Sequence, residues 1–292
     1  MAYQILFLPP SHALAEHVLG YVVRRRQISD EVVAAAVVPT IIYPANMYAA
    51  LTIVHRGHLG DPTGEVITGA IISGAMTQPA SRALVDWPET TNVLFKPGRI
   101  AEVVQVPADE LTDRWVPVDA VLTRADSLEL CERMAEQPSL ARQIAVLNQL
   151  LERRLLCAPR PRGSVATLVE HLMHLLPMMS VHELAQRAGL SERQLNRRVI
   201  DALGMSPKLV LRLARLQLAL RQLRALARAG RPPSRERFGP LALRAGFADT
   251  SHMAREFRSF TGHPPEVLRE RLRVPSPNEW AYDLPEDWLG DR

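Results

Sequence analysis

Two groups of side chains in the second half of this chain have the types and spacing needed to read a nucleic acid. Arg193, Asn196 and Arg197 stand at i, i+3 and i+4, which places them on one side of a helix. Ser251, Arg255 and Arg258 stand at i, i+4 and i+7, with Thr250 and Ala254 flanking them. A guanidinium fork can bind guanine through two hydrogen bonds, and an Asn amide can do the same for adenine. Arg255 is placed to read a base, whereas Arg258, further along, suits a phosphate. Each group has an apolar counterpart on the opposite side: Leu195, Val199 and Leu203 in the first segment, Met253, Phe257 and Phe260 in the second. A charged helix face is by itself often only a solvated surface, so the weight of this reading rests on what surrounds the two groups.

What surrounds them is a duplication. The first copy runs Leu184-Ala185-Gln186-Arg187-Ala188-Gly189-Leu190, then Leu195-Asn196-Arg197-Arg198-Val199, then Gly204-Met205-Ser206-Pro207. The second runs Leu241-Ala242-Leu243-Arg244-Ala245-Gly246-Phe247, then Met253-Ala254-Arg255-Glu256-Phe257, then Gly262-His263-Pro264-Pro265. The glycines are offset by 57 (246 − 189) and the prolines by 58 (265 − 207), so one residue is inserted in between. Each copy reads as a short helix, a Gly-centred turn, a second helix and a Gly-x-x-Pro break. This is the pattern of a helix-turn-helix, which presents its second helix to a major groove. Ser180-x-x-Glu183 and Ser191-x-x-Gln194 are capping boxes at two of the expected helix starts, and Ser206-Pro207 sets a cap before Pro at a third. Between the copies, Leu209, Leu213, Leu216, Leu220 and Leu223 form an apolar seam. A helix from 207 to 229 would span about 34 Å at 1.5 Å per residue, about one turn of B-DNA. The same seam also fits a core or a dimer contact.

Charge follows the duplication. Residues 1–157 hold 13 Lys+Arg and 17 Asp+Glu, residues 158–273 hold 21 and 9, and residues 274–292 hold 1 and 5. The +12 excess therefore lies on the segment with the repeats, where a phosphate backbone would be drawn to it. At 292 residues the chain is expected to form about two domains. Cys131 and Cys157 make neither a disulfide framework nor a zinc pattern. The first ten residues lack a basic n-region, and no run approaches the roughly 20 apolar residues of a membrane helix. The expectation is a cytoplasmic protein without a membrane partner.

The fold class expected is α+β: a β-rich, barrel- or sandwich-like N-terminal sensor domain over 1–125, followed by an all-α domain with two helix-turn-helix units joined by a long helix over 165–273. Val- and Ile-rich runs at Tyr3–Leu8, Val18–Val23, Val32–Val38, Ala49–Val54 and Val66–Ile72 read as strands. Residues 126–157, with Leu128, Cys131, Met134, Ile144, Leu147, Leu150, Leu151 and Leu155 at helical spacing, read as a helical segment suited to dimerisation. Residues 158–164 read as a Pro/Arg/Gly linker, and 274–292 as an acidic tail, either loosely packed or docked on the basic domain as an autoinhibitory strip.

At these residues the chain resembles the AraC/XylS family of bacterial transcription regulators over roughly 165–273. The most telling stretch is Ala245-Gly246-Phe247-Ala248-Asp249-Thr250-Ser251-His252-Met253-Ala254-Arg255-Glu256-Phe257-Arg258, followed by Thr261-Gly262-His263-Pro264-Pro265. The resemblance implies two units reading adjacent major grooves of double-stranded DNA. It places base contacts at Arg193, Asn196 and Arg197 and at Thr250, Ser251, Ala254 and Arg255. It also implies an activator that meets RNA polymerase, a small-molecule effector and a homodimer. Two departures stand out: Val199 where an aromatic is usual, and an Arg/Pro/Gly-rich stretch, Ala227–Gly239, longer than the usual connection. The N-terminal half resembles, more weakly, the β-rich domains attached to such regulators. Phe95-Lys96-Pro97-Gly98, Pro107-Ala108-Asp109-Glu110-Leu111 and Val116-Pro117-Val118 carry that resemblance.

The alternative is an enzyme or small-molecule carrier in the N-terminal half, with the helical half as a protein-interaction module. Against it, His55 and His58 lack the His-x-His plus Glu arrangement of a cupin metal site, and His171 and His174 have no third ligand nearby. There is no Gly-x-Ser-x-Gly, no Gly-rich phosphate loop and no Cys–His pair with a base. No catalytic residue, cofactor or metal is expected.

Overall fold

The computed structural model describes residues 2–27, 40–60, 66–137, 139–157, 167, 175–228 and 238–273. The expected strand at Val32–Val38, the linker 158–164, the stripe from Val165 to Leu172 with His171 and His174, residues 229–237 of the insert, and the tail lie outside the described residues.

The N-terminal half forms an antiparallel sheet of eight strands: β1 (Ala2–Leu8), β2 (Val18–Gln27), β3 (Thr40–Tyr43), β4 (Ala50–Gly60), β5 (Val66–Ile67), β6 (Ala70–Ser73), β7 (Ala80–Phe95) and β8 (Trp115–Pro117). The order is β1-β2-β7-β4-β6-β8, with β3 also on β7 and β5 also on β4. The expected Val66–Ile72 strand is split into two, β5 and β6.

The hub is β7, which sequence reading did not single out. It pairs with β4 from Gly60↔Ala83 to Ala50↔Leu94. On its other edge it takes β3 at Ala80–Ala83 and β2 at Thr90–Phe95. The exchange of partners straddles Asp86 and Trp87, whose φ values are +55° and +51°, opposite register shifts in β4 between Val54 and His58. Pro88 sits at that irregularity, where a missing N–H costs the ladder nothing. Polar side chains beyond it find partners across strands: the half-buried Asn92 donates from Nδ2 to Val22 O at 2.9 Å, and the buried Thr52 Oγ1 donates to Asn92 Oδ1 at 2.8 Å.

Short helices α1 (Ile100–Val104) and α2 (Ala108–Leu111) precede β8, and α3 (Arg124–Glu136) and α4 (Leu140–Cys157) follow it. Val146, Leu147, Leu150 and Leu151 of α4 pack on Leu51, Ile53, Val93 and Phe95 of the sheet. The apolar stripe of this helix is thus used inside the chain. In α3, Leu130 and Met134 make the contact, whereas Leu128 is 49% exposed.

The C-terminal half contains α5 (Val181–Ala188), α6 (Glu192–Leu203), α7 (Pro207–Arg228), α8 (Phe238–Arg244), α9 (Thr250–Thr261) and α10 (Pro265–Arg273). The axis is α7, 22 residues and therefore about 33 Å long. Leu213, Leu216 and Leu223 of the seam are fully buried, and so are Val210, Leu211, Ala214 and Ala219. The seam is a core seam within one chain. Val199 is completely buried too, so an aliphatic residue fills the position of the usual aromatic. Three residues of the N-terminal half, Ala45, Met47 and Ala75, belong to this helical core.

Candidate nucleic-acid interface

Each recognition segment is a helix whose start is fixed by its own side chains. In α6, Ser191 accepts from the Gln194 N–H while Gln194 Oε1 accepts from the Ser191 N–H at 3.0 Å. The preceding α5 carries the equivalent box between Ser180 and Glu183. These hydrogen bonds hold the Glu183 carboxyl below the usual carboxylate range. In α9 the cap is Asp249, whose Oδ1 accepts from the His252 N–H at 2.7 Å. The His252 ring stands edge-on to Phe247, with centroids 5.5 Å apart, and so locks the turn between α8 and α9. The inserted residue falls in that turn: Gly189 maps to Gly246 at offset 57, and Ser191 maps to Asp249 at offset 58.

From the caps onward the two helices correspond at offset 58. Arg193 matches Ser251, Asn196 matches Ala254, and Arg197 matches Arg255. The anchors Leu195, Val199 and Leu203 are buried under α6, and Met253, Phe257 and Phe260 under α9. On the opposite faces Arg193, Asn196, Arg197, Thr250, Ser251, Arg255 and Arg258 are exposed, and Ala254 is half-buried. Every sequence-predicted contact residue therefore lies on the outward side of one of the two helices. Among the described residues, none of Arg193, Arg197, Arg255 and Arg258 is engaged in a hydrogen bond or ion pair within the chain. Their donors are available to a partner.

The two units are tied to α7 by residues that sequence reading missed. Arg212 grips Glu256 of α9 with two hydrogen bonds, at 2.8 and 3.0 Å, and its guanidinium lies 4.6 Å above the Phe260 ring. Arg215 donates to the Pro177 carbonyl at 2.8 Å and reaches Met179 O at 3.4 Å, in the segment leading into α5. One turn of α7 thus holds the second recognition helix through one arginine and the entry to the first unit through another. Gly246, at φ +80°, brings the second turn so close to the Pro177 carbonyl that a Cβ would overlap it. The only trace of this in the sequence is a pair of arginines three residues apart that interrupt an apolar helix.

Residues 184–271 match the family described as helix-turn-helix domain. This segment is a helix-turn-helix domain, a unit that presents its second helix to a DNA major groove. The chain is similar in arrangement to ToxT from Vibrio cholerae, with 9% identity, 94% of this chain and 100% of ToxT covered, and a TM-score of 0.44. For wild-type ToxT with bound unsaturated fatty acid the values are 10%, 80%, 94% and 0.41. For the AraC-like transcriptional activator CuxR they are 12%, 74%, 86% and 0.21. No curated protein matches the sequence. No helix among the described residues is long and apolar enough to cross a membrane, and the described residues hold no group of three or more His, Cys, Asp or Glu side chains that could hold a metal. His55 instead hydrogen-bonds Thr91 Oγ1 at 2.8 Å, and His58 lies 3.7 Å from Asp86.

Proposed function

We propose that the chain is a sequence-specific transcription activator that lays α6 and α9 into adjacent major grooves of double-stranded DNA. In this reading Arg193, Asn196 and Arg197 read bases under the first helix. Thr250, Ser251, Ala254 and Arg255 do so under the second, and Arg258 holds a phosphate. One observation carries the reading: two helices related by a 58-residue offset each present an outward face from the same positions after their caps, with an exposed arginine, Arg197 and Arg255, at the same place on both. The +12 charge of the surrounding segment supplies the sequence-independent attraction.

The N-terminal domain, in the same reading, senses a small-molecule effector, forms a homodimer, or does both, and the DNA-bound protein engages RNA polymerase. The apolar recess between the sheet and α4, lined by Leu51, Ile72, Phe95, Val103 and Leu150, holds about 10 Å³, the room of about one water molecule. An effector entering there would have to part α4 from the sheet.

The test is titration of duplex DNA with full-length protein at several salt concentrations. Affinity should fall steeply and linearly with salt on logarithmic axes. Arg197→Ala should weaken specific binding by about 1–3 kcal/mol and relax base preference at one position. Arg258→Ala should weaken binding to all sequences alike and lower the salt slope by about one. Wild-type affinity and preference in Arg197→Ala would remove α6 from the groove.

A further inference from the structure

The C-terminal ends of both recognition helices rest on one platform of the β-domain. At the end of α6, Gly204 is the left-handed cap, at φ +70°. Thr112 Oγ1 lies 3.1 Å from the Gly204 carbonyl and 3.0 Å from that of Ala108, its proton shared between them. Any Cβ at 204 would overlap both Thr112 Oγ1 and the Ala108 carbonyl, so the approach depends on glycine. At the end of α9, the Ala45 N–H donates to the Phe260 carbonyl at 2.8 Å. Beside it Met47 is inserted into the helical core, 1% exposed. The buried Tyr48 hydroxyl meets Gln217 of α7, and burial pushes its pKa up to about 12.

The two contact segments, 44–48 and 108–113, are not independent. Asn46 and Met76 exchange two backbone hydrogen bonds, at 2.8 and 2.9 Å, and Asn46 also closes its own turn through Pro44 O and the Tyr48 N–H. The Asp113 N–H donates to Ala75 O at 3.0 Å, and Asp113 Oδ1 accepts from the Thr77 N–H at 2.7 Å. Residues 74–77 thus fasten one contact to the other. The base-reading sides of α6 and α9 stay exposed, so the platform does not cover the DNA face. It fixes where one helix lies relative to the other.

We infer that this platform, which itself touches no DNA, acts through the placement of α6 and α9 as a gauge of operator spacing. Thr112, Ala45 and Met47 are positioning residues that set the separation of the two base blocks a bound operator must have. The inference rests on the reading of α6 and α9 as base readers. One base pair inserted between the blocks moves them about 3.4 Å further apart, and meeting it requires the helices to move against the platform. If the helices were tied together only through α7, the β-domain contacts would affect stability but leave the preferred spacing untouched.

The experiment compares full-length wild type, Thr112→Val and Thr112→Ser on duplexes carrying an operator selected by the wild-type protein from a random DNA pool, with zero, one or two base pairs inserted between its blocks. The measured quantity is the affinity lost per inserted pair. Wild type should lose more than about tenfold on the first insertion, in the range of a mismatched base pair. Thr112→Val, which keeps the shape and removes the hydroxyl, should bind the uninserted site within about threefold of wild type, yet lose about fivefold less on insertion. That fivefold is the equilibrium worth of one hydrogen bond. Thr112→Ser should restore the wild-type penalty. Should Thr112→Val lose its fold, Met47→Leu, which alters the shape of the plug at nearly constant volume, serves in its place and should likewise change the penalty. Equal insertion penalties in all folded variants would overturn the gauge while leaving base reading intact. Wild-type protein that enriches no sequence at all would remove the base-reading assignment, and the gauge with it.

Discussion

Met47 of the β-domain is buried in the core of the helical domain, and its truncation should therefore destabilise a domain to which it does not belong in sequence. The side chain is 1% exposed and packs in the same cluster as Leu213, Phe257 and Phe260. Replacing a fully buried Met by Ala costs about 2–5 kcal/mol, the loss of transfer energy plus that of an unfilled cavity. A domain boundary can relax more than a closed core, so the lower half of that range, about 2–3 kcal/mol, applies to Met47→Ala. At about 2–4 °C per kcal/mol for units of this size, Tm should fall by about 5–10 °C. Urea denaturation followed by far-ultraviolet circular dichroism, which reports the helices, measures the loss, and amide hydrogen exchange locates it. Protection should drop along α7 and the second half of α9, as well as around residues 44–48. A loss below about 0.5 kcal/mol, or one confined to β-sheet amides with α7 and α9 unchanged, would refute the placement of Met47 as a shared core residue.

Ser191→Ala removes the cap of α6 and should cost about 1 kcal/mol; urea melts should show it, with faster exchange confined to the first turn of α6, and an unchanged midpoint would deny the capping box any energetic role. His55, whose pKa burial and then the nearby Arg25 push down to about 4 against the opposing pull of Glu89, should make the β-domain acid-sensitive. Unfolded His titrates near pH ~6.5, so its contribution is complete above that value and is lost as pH falls from there toward 4. The stability difference between pH 7.5 and pH 5 should be smaller in His55→Gln than in wild type, and equal differences would exclude His55 as the cause.

Much of the helical half was legible because it is written twice. The 57- and 58-residue offsets, the two Ser-x-x-Glu/Gln boxes and the apolar anchors Leu195, Val199, Met253 and Phe257 each point to the same helices, and all of them are present at those positions. The sheet was legible only in part. Apolar runs marked β1, β2 and β4, but β7 hides its 16 residues behind Asp86, Pro88 and the polar run Glu89–Asn92. Those residues look like a loop because sequence does not show which polar side chains find partners across neighbouring strands, as Asn92 does with Val22 and Thr52. Leu128 and Leu130 exchanged roles because a stripe counted at helical spacing fixes a face only to within a residue or so. The joints between domains left no pattern: Thr112–Gly204 and Ala45–Phe260 join residues 92 and 215 positions apart in the chain, and a backbone carbonyl has no residue type to betray it.

Selection of bound duplexes from a random DNA pool, with full-length protein, tests the central claim most directly. The account predicts enrichment of a site with two short blocks about one helical turn apart, one under Arg193, Asn196 and Arg197, and one under the start of α9. Recovery of a single block would contradict the assignment of two readers, and recovery of no sequence at all would contradict base recognition by either helix.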